Sequence, residues 1–168
     1  VCNVLISMYS KGEGDFVEDA KLVFGKMVER NVISWTTMLS MDEEDAMNLF
    51  NKMRRDGVYP NDVTFVGLLP TLTKNDMVQE GQMVHGFCIK ANFLSRLNVA
   101  NCFVTMYAKF ARIVGSVKVF EELDYRDNVS WNALISGYAQ NELYQEAFQT
   151  FLLASAELRP NEYTFGSI

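Results

Sequence analysis

Few residues in this chain are equipped for chemistry, and they do not assemble into a catalytic device. His85 is the sole histidine among 168 residues. It lies three positions before Cys88, so on a helix the two share a face. A nucleophilic pair of this kind needs an acid to orient the imidazole, and none is evident. A zinc deaminase needs His-x-Glu and Cys-x-x-Cys; neither string occurs. Cys2, Cys88 and Cys102 have no short paired spacing. Buried reduced thiols are therefore the reading, not a metal site or a disulfide framework. No glycine-rich phosphate loop is present. What recurs is asparagine. Asn3, Asn101 and Asn132 each fall one turn into a predicted helix, where Asn has poor propensity and caps nothing. An inward polar surface accounts for their recurrence at one phase.

The elements that carry these residues are paired helices. In residues 128–161, Val129, Trp131, Leu134, Ile135 and Tyr138 make one apolar helical face. Asn141 and Glu142 interrupt it. Tyr144, Ala147, Phe148, Phe151 and Leu152 make a second face, and Pro160 closes the unit. Neither helix can bury its face alone. Similar units occupy residues 1–31, 32–61, 62–96 and 97–127, and residues 162–168 begin another. Ser34-Trp35 matches Ser130-Trp131, and Met8-Tyr9 matches Met106-Tyr107. Pro60-Asn61 before Val63-Thr64-Phe65 matches Pro160-Asn161 before Tyr163-Thr164-Phe165. A two-helix period of roughly 30 to 36 residues predicts stacked layers. The expected fold is all-α: a right-handed α-solenoid of helix–turn–helix repeats, a superhelix of the tetratricopeptide-like kind.

Composition agrees with a folded chain: 49% hydrophobic and 21% charged residues. No apolar run approaches the roughly 20 residues of a membrane span, so no membrane association is expected. The sequence opens at Val1 inside a helix pattern, with no targeting segment, and reads as a fragment. The net charge of −6 repels nucleic acid at long range. The acids cluster in second helices, as in Asp42-Glu43-Glu44-Asp45 and Glu121-Glu122. They are expected on a solvated outer face near helix N-termini.

The strings NVLISMYSKG, MRRDGVYPNDVTFVGLLPTL, EGQMVHGFCIKANF and NVSWNALISGYAQN resemble the plant pentatricopeptide repeat family. The alternation of unit lengths resembles its PLS subclass, with residues 1–31 and 97–127 as short units, 32–61 and 128–161 as standard ones and 62–96 as a long one. One unit departs from the pattern. Residues 32–61 number 30 against 34 for residues 128–161, and the counterpart of Gly137-Tyr138-Ala139-Gln140 is missing between Ser40 and Met41. Poor packing of that first helix is expected. A tetratricopeptide-like protein-interaction scaffold is the alternative; its Trp-Leu-Gly-Tyr pattern is not reproduced, and it would place charged or aromatic clamp residues where Asn recurs.

The resemblance implies binding of single-stranded RNA, one base per repeat, read by the fifth residue of a first helix and the last residue of the unit. By phase the pairs are Asn3 with Asn31, Thr36 with Asn61, Val66 with Arg96, Asn101 with Asp127, and Asn132 with Asn161. An Asn amide donates and accepts, whereas Asp only accepts. The family's pairings imply a site reading pyrimidine–A–any–U–pyrimidine. Ile33, Val63 and Val129 would be apolar wedges beside the bases, with helix-start core residues as the competing reading; Asn98 holds that place in residues 97–127. Asn31, Asn61, Asp127 and Asn161 are also ordinary helix N-caps. Trp35 and Trp131 read as core aromatics. The resemblance further implies a mitochondrial location (chloroplast is the alternative), a role in specifying C-to-U editing or other processing, and editing-complex proteins as partners. No cofactor, metal or small-molecule substrate is expected, and any deaminase would lie outside these residues.

Overall fold

The computed structural model describes residues 6, 8, 16–42, 44–74 and 76–157. Among them there are nine α-helices, one short 3₁₀ turn and no strand. The chain divides into two compact bodies, Val1–Glu80 and Gly81–Ile168.

The first body contains α1 (Val17–Gly25), α2 (Val32–Met41), α3 (Ala46–Arg55) and α4 (Asp62–Lys74). α2 packs on α3, its partner within the unit, and on α4, the first helix of the next unit. Trp35, Met38, Leu39, Phe50, Met53, Phe65 and Leu68 form the core. The Phe24 ring meets Trp35 edge-on at 4.7 Å, and Phe50 meets Phe65 at 6.0 Å. Just past the end of α3, Gly57 has a φ of 76°, which lets Val58 N bond back to Met53 O.

Two expectations fail in this body. α2 has 10 residues against 13 in the corresponding helix of residues 128–161. Yet Trp35, Met38 and Leu39 are fully buried, so the turns that remain are well packed and the loss falls at the C-terminal end. Asp42 does not join a solvated acidic face either. It is buried just after α2, and Lys21 reaches it at 3.0 Å. A carboxylate removed from water needs such a partner. Glu18, Asp19, Glu44, Glu121 and Glu122 are exposed as expected.

α5 (Val78–Lys90) opens the second body with its residues from Gly81 onward. The 3₁₀ turn Phe93–Ser95 follows, then α6 (Leu97–Lys109), α7 (Ile113–Glu121), α8 (Asn128–Gln140) and α9 (Tyr144–Glu157). α6 packs on α7 and on α8, and α8 packs on α9. The logic matches the first body, with each first helix contacting its own second helix and the next first helix. At Gly137 a Cβ would sit 2.8 Å from the Ala108 Cβ, so the α6–α8 contact requires glycine there. Asn141 seals the same contact by donating to Ala108 O and Gly137 O at 2.9 and 2.7 Å.

The apolar face of α9 is only partly the one its spacing suggests: Ala147 is buried and Phe151 half-buried, as expected. Ala147, Thr150 and Ala154 are buried, while Tyr144, Phe148 and Leu152 are exposed. Small residues let helices approach closely, which leaves the large ones on the far side. Apolar ends are expected from Val4, Leu5 and Met8 and from Phe165 and Ile168; Met8 is exposed, and the other four lie outside the described residues. The fold is an all-α solenoid of helix–turn–helix repeats.

Candidate nucleic-acid interface

Both bodies contain one local structure with the same residues at the same spacing. In the first, Arg30 donates to Phe24 O and Gly25 O at 3.1 and 3.2 Å, which satisfies the last carbonyls of α1. Its guanidinium lies 4.9 Å from the Phe24 ring centre. In the second, Arg126 donates to Phe120 O and Glu121 O at 3.3 and 3.1 Å, again 4.9 Å from a ring, that of Phe120. Trp131 meets Phe120 edge-on at 4.9 Å. Trp35 and Trp131 are both buried, as core aromatics are.

The residue after each arginine starts the next first helix. Asn31 Oδ1 accepts from Ser34 N at 3.1 Å, and Ser34 Oγ accepts from Asn31 N at 3.0 Å. Asp127 Oδ1 accepts from Ser130 N at 2.8 Å and Ser130 Oγ at 2.9 Å. At α4, Asn61 Oδ1 accepts from Thr64 N and from Thr64 Oγ1, both at 3.0 Å. All three last residues of their units therefore cap helices.

The caps are joined to the fifth residues. Asn101 is 5% exposed, and its Nδ2 donates to Asp127 Oδ1 at 3.4 Å. Asn101 Oδ1 is buried without a partner. In the first body Thr36 Oγ1 lies 2.9 Å from Thr64 Oγ1, the hydroxyl that bonds Asn61. Two of the five expected pairs are thus each part of one hydrogen-bonded group, Thr36–Thr64–Asn61 and Asn101–Asp127–Ser130. Asn132 is half-buried on α8. Asn3 and Asn161 lie outside the described residues. Val66 and Arg96 are both exposed and belong to different bodies.

At the second position Ile33, Val63 and Val129 are 59%, 56% and 61% exposed. They are not helix-start core residues. Asn98 is exposed there too. Sequence reasoning missed Thr64 and Ser130 as members of the site. The strings Asn31-x-x-Ser34, Asn61-x-x-Thr64 and Asp127-x-x-Ser130 carried the signal, because an N-cap followed three positions on by a hydroxyl predicts reciprocal bonding.

The other reactive side chains are occupied by packing. His85 Nδ1 lies 2.8 Å from Tyr107 Oη, and its ring centre is 4.6 Å from that of Phe103. Burial lowers its pKa. Cys88 is fully buried, and burial pushes its thiol up to about 12, the opposite of what a nucleophile needs. Cys102 is raised for the same reason.

Comparison with known proteins identifies the repeats. Residues 129–153 match the family described as "PPR repeat", and residues 22–75 match "Pentatricopeptide repeat domain". A mitochondrial pentatricopeptide repeat-containing protein of Arabidopsis thaliana is 51% identical over 168 residues, covering 100% of this chain and 22% of that protein. Another from Arabidopsis thaliana, also named mitochondrial, is 31% identical over 172 residues, covering 99% of this chain and 27% of its own length. The chain thus spans about a quarter of the length of these relatives. The crystal structure of the pentatricopeptide repeat protein PPR10 from maize superposes with a TM-score of 0.75 at 23% identity, over 99% of this chain and 25% of that one. The chain belongs to the pentatricopeptide repeat family.

Proposed function

We propose that this chain binds single-stranded RNA through the N-terminal ends of its first helices, one base per repeat. The observation that carries the reading is the pairing of fifth and last residues. At two separate places they form one hydrogen-bonded group beside an exposed aliphatic side chain. Polar groups that meet a base edge give specificity, and apolar side chains that meet its faces give affinity. Val63 stands next to Thr64, and Val129 lies two positions after Asp127, which suits both tasks.

The alternation of unit lengths supports placement in the PLS subclass, and with it a role in specifying C-to-U editing or other processing of organellar transcripts. Editing-complex proteins are the partners this implies. The relatives named mitochondrial support that compartment. The preferred site reads pyrimidine–A–any–U–pyrimidine from 5′ to 3′, with Asn3 with Asn31 and Asn132 with Asn161 at its ends.

Competition binding with RNAs varied one base at a time tests the proposal. The sequence above should bind best, and changes opposite residues 32–61 and 97–127 should weaken binding most. Equal affinity for all single-base variants would refute it. A net charge of −6 also implies few phosphate contacts, hence a salt slope well below the roughly −0.7 per phosphate expected of a fully basic single-strand groove.

A further inference from the structure

We infer that Thr64, which no base can touch, is a positioning residue that fixes which atoms of Asn61 and Thr36 face the base, whereas its counterpart Ser130 caps a carboxylate whose polarity is already set. The inference rests on the base-reading proposal and deepens it. Both residues are fully buried at the third position of a first helix.

Thr64 has one hydroxyl proton, and it goes to Asn61 Oδ1 at 3.0 Å, because a carboxamide oxygen has none to give. The same hydroxyl accepts from Asn61 N at 3.2 Å. With that proton committed to Asn61, we assign the 2.9 Å contact with Thr36 Oγ1, in which either hydroxyl can donate, to the Thr36 proton. Two consequences follow for the surface. Asn61 Oδ1 faces two donors, Thr64 N and Thr64 Oγ1, so the amide cannot flip, and Nδ2 is the atom left for a ligand. Thr36 has spent its proton inward, so only lone pairs remain. The repeat offers one donor and one acceptor, which complements N1 and the N6 amino group of adenine. Guanine, with N1–H and O6, has the reverse polarity.

Ser130 makes the same bonds to Asp127, where the two atoms are alike. Its N–H and Oγ–H, with Asn101 Nδ2, all converge on Asp127 Oδ1. Oδ2 is left as a pure acceptor, complementary to the N3–H of uracil. The polarity there belongs to the carboxylate itself, so the positioning role falls to Thr64, whose partner Asn61 has two unlike atoms to present. Capping and reading are then simultaneous tasks of two different atoms.

The test uses Thr64→Val, which keeps the shape and removes the hydroxyl, and Thr64→Ser, which restores it. Each is measured against RNAs carrying A, C, G or U opposite residues 32–61, with thermal melting as a fold control. The A-over-G preference should fall about fivefold or more in Thr64→Val, at the low end of base discrimination by paired hydrogen bonds, and return in Thr64→Ser. Preferences at other bases should stay unchanged. Affinity that drops equally for all four bases, with the ratio intact, would make Thr64 a structural residue only and overturn the inference. Should Thr64→Val not fold, Thr64→Ala carries the same test through the same A-over-G ratio. A wild-type protein with no preference at that base would remove the base-reading proposal, and this inference with it.

Discussion

Asn101 Nδ2 donates to Asp127 Oδ1 across 26 positions of sequence, at 3.4 Å. The same oxygen accepts both bonds from Ser130. One carboxylate oxygen therefore caps α8 and anchors the fifth residue of the unit, while the other takes no part in either.

Asp127→Asn separates the two tasks. Asn caps helices about as well as Asp, so Oδ1 keeps its bonds to Ser130 and stability should hold within about 0.5 kcal/mol, the usual range for a change that breaks no buried feature. At the other atom an acceptor becomes a donor. Preference at that base should move from U towards C by about 1 kcal/mol, the low end for a hydrogen-bonded base contact. Competition binding with RNAs varied at that position checks the shift. An unchanged preference would reduce Asp127 to a cap.

Much of this was legible in the sequence because the repeat forces it. The matched Ser-Trp pairs, the caps and the fifth-position residues all fall at fixed phase, and local chemistry alone predicts the bonds from Asn31 to Ser34 and from Asp127 to Ser130. Partnerships across units were not legible. The Lys21–Asp42 ion pair spans two units, and no periodicity announces it. Capping and reading looked like rival explanations because spacing identifies residues, whereas the division between Oδ1 and Oδ2 is visible only in three dimensions. The α9 face was misjudged for a related reason: helical spacing fits the stripe Tyr144, Phe148 and Leu152 as well as the stripe Ala147 and Ala154. Close approach to α8 selects the small residues.

The exposed aliphatics should matter for RNA and not for folding. Val63→Ala removes two methyl groups from a side chain 56% exposed, so its effect on melting should stay within about 0.5 kcal/mol. RNA affinity should fall by a few-fold for every base at that position alike, because apolar stacking is sequence-tolerant. An unaltered affinity would place Val63 off the RNA path.

The repeated Phe–Arg–Trp group should behave in the opposite way. Trp131 is 6% exposed against Phe120, so Trp131→Ala should cost about 3–5 kcal/mol of stability. Arg126→Ala unbinds two helix-end carbonyls and a cation–π contact, and should cost about 1–2 kcal/mol. Denaturant unfolding measures both. A Trp131→Ala variant of wild-type stability but lost RNA binding would turn the tryptophan into a stacking residue.

His85 gives the stability a pH dependence. Burial first, and Lys118 to a lesser extent, lower its pKa from the ordinary 6.5, with Glu122 opposing. The unfolded chain therefore binds the proton more tightly than the folded one. The His85 contribution is complete above about pH 6.5. It is lost as the pH falls from there through the folded-state pKa. Melting temperature should fall between pH 7.5 and 5 more steeply in the wild type than in His85→Gln, which can still bond Tyr107. Parallel curves for the two proteins would refute the assignment.

The shortened repeat makes the last prediction. Its first helix stops at Met41, three residues earlier in length than α8, and the sequence alone suggests a weak point across Ser34 to Leu39. The structure moves that weakness to the helix end. Trp35, Met38 and Leu39 are fully buried, and the N-terminus of α2 is held by the reciprocal Asn31–Ser34 bonds. Amide exchange reports local opening, which depends on burial and bonding around each amide. Protection across Met38 and Leu39 should therefore match that of Leu134 and Ile135 in α8, which are equally buried. Protection should drop past Met41, since the missing turn falls between Ser40 and Met41, and again at Ala46, where α3 begins without a side-chain cap. Exchange that is uniformly fast from Trp35 to Met41 would show that the deletion loosens the whole helix. The Thr36 end of the base-reading group would then lack a rigid support.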